Sequence, residues 1–139
     1  MSEASSASQP ADISRSDPAA IKVLLATYTR AVSTKDQSLI ETLLLNKAIP
    51  FSYIPANGVP ISDHGTEKYE VFRKGVFEGA AFTQRFEDVR ILQHGGVADV
   101  TLVFVNTTTK SSTRGWKSMQ LLKIDGSWKI ASEFFTDFP

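Results

Sequence analysis

From Phe82 to Thr136 the apolar residues recur with a period of two, through four consecutive runs. Phe82 to His94, Val97 to Thr109, Arg114 to Ile124 and Ser127 to Thr136 each read as a strand. The breaks between them are Gly95-Gly96, Lys110-Ser111-Ser112 and Asp125-Gly126, and Asp-Gly is the strongest short hairpin signal of the three. Four strands joined by such short turns can only form an antiparallel meander. That feature alone removes parallel α/β architectures and all-helical bundles.

The first half of the chain has the helical period. Asp17-Pro18 suits a helix start, because Asp caps well and proline is tolerated at the first helical position. Ile21, Leu24, Leu25, Tyr28 and Val32 then fall on one face. Asp36 can cap a second helix striped by Leu39, Ile40, Leu43 and Leu44. Pro50, Pro55 and Pro60 break helix after that, and Ile49 to Ile54 suits a short edge strand. Thr66 can cap a third helix carrying Tyr69, Phe72 and Val76. The expected class is α+β: a strongly bent antiparallel sheet with N-terminal helices closing its mouth, and a pocket between the two.

Charge and composition narrow the function. The chain has 139 residues, with 15 basic and 15 acidic side chains. Residues 1–18 carry Glu3, Asp12 and Asp17 against Arg15, a local charge of −2, which leaves +2 on the rest. Neither part has the clustered Lys and Arg that nucleic acid or an anionic membrane requires. There is no cysteine, hence no disulfide, thiol nucleophile or thiolate metal site. The Ser-rich residues 1–16 read as a flexible extension before a single domain over 17–139. They lack the apolar region of a signal peptide, and no apolar run reaches membrane-spanning length, so the expected location is cytoplasmic.

Several stretches carry a resemblance. Val23–Asp36 (VLLATYTRAVSTKD), Phe86 to Phe104 and Met119–Ser132 (MQLLKIDGSWKIAS) resemble the first helix, central strands and closing hairpin of the nuclear transport factor 2-like superfamily. The likeness spans about residues 18–136 and is greatest to its SnoaL-like, DUF4440-type and lumazine-binding-like groups. It implies a cystatin-like cone, and for many members a homodimer packed through the sheet. Activities in the superfamily include isomerase, cyclase, dehydratase, ligand-binding and association roles, so fold leaves function open.

The steroid-isomerase pattern of that superfamily is incomplete here. Tyr28 takes the tyrosine position, but the base position falls near Tyr53 or Ile54 and the second acid falls on Gln120. An acid–base isomerase of that type therefore lacks two of its three groups. In the last strand, Trp128, Ile130 and Phe134 alternate with Ala131, Glu133 and Phe135. The bulkier set should face the core, whereas the resemblance turns Glu133 inward, where a buried carboxyl could serve as acid or base. His64 and His94 have no second ligand at metal spacing, so no metal is expected, and no phosphate-binding or nucleophile-elbow motif calls for a cofactor.

The reading that follows is a protein binding a small, mostly apolar molecule in its cone. Tyr28, Tyr53, Phe72, Phe104, Trp116 and Gln120 are the candidate lining residues. Two alternatives stand beside it. One is an isomerase, dehydratase or cyclase using an unusual pair, Glu133 with Tyr28 or His64. The other is a homodimeric association module that buries the sheet face of Val103, Val105, Met119 and Leu121.

Overall fold

The structure is a computed structural model that describes the backbone of residues 10–61 and 67–139, with side chains from Asp17 onward. Its elements are α1 (Pro10–Thr34), α2 (Gln37–Glu41), β1 (Phe51–Ile54), α3 (Tyr69–Phe77), β2 (Thr83–His94), β3 (Val97–Thr107), β4 (Ser112–Ile124) and β5 (Ser127–Asp137). The strands form one sheet in the order β1-β5-β4-β3-β2. The meander β2 to β5 is antiparallel, and β1 joins the outer side of β5 in parallel. At the last hairpin Asp125 and Gly126 both have positive φ, the backbone of a type I′ turn, which only such a pair adopts readily. Helices and sheet bury one face each against the other, the α+β cone expected from the pattern.

Two helix boundaries differ from the sequence expectation. The helix expected from Asp17-Pro18 begins earlier, at Pro10, and holds Pro18 in its interior. The expected extension over 1–16 therefore overlaps helix from residue 10. Asp17 is a buried anchor rather than a cap: it accepts from Lys123 Nζ at 2.8 Å, Trp128 Nε1 at 3.2 Å and Gln93 Nε2 at 2.9 Å. Those bonds, the one from Lys123 foremost, hold its carboxyl below the usual range. The second helix is capped by Asp36 as expected, but spans only five residues. It stops because Leu43 to Leu45 turn into strand-like pairing with Ile130 of β5. The third helix starts at Tyr69, and Thr66 lies outside the described residues.

The core is the stripe of α1 (Ile21, Leu24, Leu25, Tyr28, Val32) set against Ala98, Val100, Leu102 and Phe104 of β3 and Met119 and Leu121 of β4. Met119 and Leu121 therefore do not share a face with Val103, contrary to the association surface expected above. Val103 pairs with Trp116 on the opposite face, where Trp116 is 42% exposed. Among the described residues no helix is long and apolar enough to cross a membrane.

One irregularity decides what faces the core. On β4, Gln120 and Leu121 are consecutive, yet their partners on β5 are Ser132 and Ile130. Ala131 is the extra residue of a β-bulge. Before it, Trp128 and Ile130 are buried; after it, Glu133 and Phe135 turn inward and Phe134 is left 46% exposed. The bulge lies where β5 changes partner, from Leu43–Leu45 to Pro50 and β1.

Candidate functional site

Three polar side chains meet inside the cone. Tyr28 comes from the apolar stripe of α1. Lys117 shares the inner face of β4 with Met119 and Leu121. Glu133 stands opposite Met119 and so diagonal to Lys117 across the β4–β5 ladder. The Tyr28 hydroxyl donates to Glu133 Oε1 at 2.7 Å, and Lys117 Nζ donates to the Tyr28 hydroxyl at 2.8 Å. Lys117 Nζ also lies 2.8 Å from Glu133 Oε2 as an ion pair, although that oxygen accepts no well-directed hydrogen bond. Tyr28 and Glu133 are 0% exposed and Lys117 is 2% exposed.

Aromatic rings complete the surroundings of the ammonium. Lys117 Nζ lies 4.7 Å from the ring centre of Tyr28, 4.8 Å from Phe135, 5.6 Å from Phe72 and Phe104, and 5.9 Å from Phe86. Rings facing a cation in this way compensate part of its lost hydration. Burial pushes the Lys117 pKa down, with the Glu133 charge opposing the shift. Burial pushes the Tyr28 pKa well above its ordinary value, and the adjoining Glu133 charge adds to the effect.

Beside the cluster lies a cavity of about 230 Å³. Lys117 lines it together with Phe51, Tyr53, Phe72, Phe104 and Phe135, and its polar lining also includes Gln84 and Asn106. Gln84 Nε2 donates to Asn106 Oδ1 at 2.9 Å, while Gln84 Oε1 is buried without a donor. A larger depression of about 660 Å³ runs between α1 and β2, but it is an open groove that none of the three clustered side chains lines. The smaller cavity, the one that Lys117 lines, is the candidate site, since buried charge beside apolar walls is what distinguishes a binding site from a surface hollow.

Tyr53, Phe72 and Phe104 are among the lining residues, and Tyr28 stands behind Lys117. Trp116 and Gln120 do not belong to the site. They point to the other face of the sheet, where Gln120 donates to Asp99 and Ser118 and accepts from Ser132. The alternation of β4 puts Lys117, not its neighbours, inside. Glu133 meets Tyr28, whereas His64 lies outside the described residues and His94 is exposed on the β2–β3 hairpin. Lys117 is the residue that sequence reasoning missed. It alternates with Met119 and Leu121, but that set is not plainly more apolar than Trp116, Ser118 and Gln120. Among the described residues no three acidic or histidine side chains converge as metal ligands.

All three tyrosines of the chain donate to a carboxylate: Tyr28 to Glu133, Tyr53 to Asp137, and Tyr69 to Glu41. Burial and the carboxylate push Tyr53 up to about 12 and raise Tyr69 as well. A tyrosine harder to ionise in the fold than in the unfolded chain stabilises the fold below pH about 10, and that contribution fades as pH rises toward the folded value. Lys117, with its lowered pKa, has the opposite sign, because its cost diminishes as pH approaches its unfolded value. Urea unfolding should therefore show stability falling above pH about 10, together with phenolate absorbance that appears only as the chain unfolds. Phenolate appearing at pH 10 in the folded protein would contradict these contacts.

No protein-family model matches the chain, and no curated protein matches it in sequence. Solved structures do match in shape. A protein of unknown function from Mycobacterium tuberculosis superposes with a TM-score of 0.71 at 19% identity, covering 95% of this chain and 78% of that one. An NTF2-like protein of unknown function from Shewanella baltica gives 0.67 at 13% identity, covering 96% and 99%. A provisionally named dehydratase of the NTF2-like family from Streptomyces avermitilis gives 0.71 at 12%, covering 91% and 99%. The fold is NTF2-like. At these identities the likeness concerns the fold alone, and a fold does not fix a function.

Proposed function

We propose that the cavity of this NTF2-like protein binds a small, flat, mostly apolar molecule with one neutral oxygen acceptor, to which Lys117 donates. The observation that carries this reading is a buried ammonium set in the wall of an aromatic cavity. A buried ion pair adds little to stability over apolar residues of the same volume, so a role other than stability is the better account of this one. A volume of about 230 Å³ suits a single aromatic ring with a short substituent, since about 150 Å³ of apolar cavity already holds benzene. The acceptor is neutral because Glu133 already matches the charge of Lys117, and an added anion would be uncompensated. An N–H on the ligand is favoured too, because Gln84 Oε1 in the same lining lacks a donor.

Titration with benzamide, toluene and benzoate, followed by NMR shifts of residues lining the cavity, tests the reading. Benzamide should bind about tenfold more tightly than toluene, the worth of one hydrogen bond to a charged donor, with benzoate weakest. Equal affinity for benzamide and toluene would remove the role of Lys117. No binding of either would remove the reading.

A further inference from the structure

We propose that Lys117 is an imine-forming amine, which condenses with the carbonyl carbon of a small aldehyde or ketone held in the cavity. The inference rests on the proposed binding cavity and adds a covalent step to it. Its basis is an amine that lines the cavity with a hydroxyl and a carboxylate directly behind it, Lys117 Nζ lying 2.8 Å from both the Tyr28 hydroxyl and Glu133 Oε2. Imine formation needs those three groups: a nitrogen nucleophile, a proton donor for the carbonyl oxygen, and a base. The surrounding aromatic rings keep out the water that would hydrolyse the product.

The protons balance within the cluster. Glu133 takes a proton from the ammonium and frees the nitrogen lone pair. That pair forms the C–N bond as the carbonyl π bond breaks, and the oxygen takes the Tyr28 proton. A second nitrogen proton returns to the Tyr28 oxygen. The nitrogen lone pair then forms the C=N bond while the hydroxyl departs, protonated by Glu133, as water. The cluster begins with one positive nitrogen beside one carboxylate and ends with an iminium beside the same carboxylate. No buried charge is created or lost, which keeps the step compatible with a water-poor site. The lowered pKa of Lys117 eases the first proton transfer.

The test incubates the full chain with benzaldehyde and sodium cyanoborohydride, which reduces an iminium to a stable secondary amine, and locates the product by peptide mass spectrometry. Lys117 should be labelled at least about tenfold faster than the exposed Lys22, Lys74 and Lys110, as a desolvated amine with its own acid and base would be. Benzamide should compete at Lys117 only. Tyr28→Phe should slow Lys117 labelling by about tenfold or more and leave the exposed lysines unchanged. Lys117 unlabelled while the exposed lysines react and benzamide still binds overturns the imine and leaves the binding reading intact. Loss of both benzamide binding and Lys117 labelling overturns the two together.

Discussion

Glu133→Leu is expected to lower the free energy of unfolding by about 3–5 kcal/mol, because it strands the Lys117 ammonium in a site that is 2% exposed. Lys117→Met should cost a similar amount, since the carboxylate then keeps only the Tyr28 hydroxyl as partner. Combining the two removes both charges but leaves the Tyr28 hydroxyl buried without a partner, a residual cost of about 1–3 kcal/mol. Adding Tyr28→Phe removes that as well. The triple variant should return to within about 1 kcal/mol of the parent or exceed it, because well-packed apolar groups match or outdo a buried ion pair. Urea unfolding of the singles, the double and the triple measures these steps as a cycle. A triple variant as unstable as either single would mean that the cluster is a net stabiliser of the fold, and stability alone would account for its presence.

Gly115→Ala is expected to damage both stability and the cavity. Gly115 of β4 pairs with Phe104 of β3, and the Phe104 ring lies across it. A Cβ at this position would overlap that ring and the Thr136 carbonyl oxygen of β5. The overlap with the carbonyl falls on the β4–β5 pairing, and the ring must also swing, into the cavity it lines. Forcing a methyl group into a filled site costs about 1–3 kcal/mol. Benzamide binding should fall with it, because the displaced ring occupies the ligand's volume. Adding Phe104→Leu should recover only the part of the loss that the ring causes, because the Thr136 carbonyl still meets the Cβ. If Gly115→Ala unfolds at the parent's urea midpoint and binds benzamide normally, the glycine is not what holds Phe104 in place.

The meander was legible because its signals are local. Asp125-Gly126 and Gly95-Gly96 fix hairpins wherever they fall between alternating runs, and the structure turns at both. The apolar stripe of α1 was legible for the same reason. The start of that helix was not, since Asp17-Pro18 offers a sound local cap, and the bonds that draw Asp17 inward come from Gln93, Lys123 and Trp128, far along the chain. The inner face of β4 was illegible for a different reason. One face offers Trp116, Ser118 and Gln120 and the other Lys117, Met119 and Leu121, and neither set is plainly the more apolar. Lys117 can be inside because Glu133 compensates it, and whether Glu133 faces inward depends on the bulge at Ala131. Alternation counted from Trp128 gives the wrong phase beyond that point, and nothing short-range marks where the extra residue lies.

The bulge has an evolutionary corollary. A straight β5 would present Ser132 and Phe134 to the interior, while the bulged one presents Glu133 and Phe135. Gaining or losing one residue at this point can thus exchange a neutral lining for an ionisable one while β2, β3 and β4 keep their pairing. Chains of this architecture can diverge in chemistry by insertion and deletion as readily as by substitution. Aligning their interiors position by position will pair the wrong side chains unless the bulge is placed first.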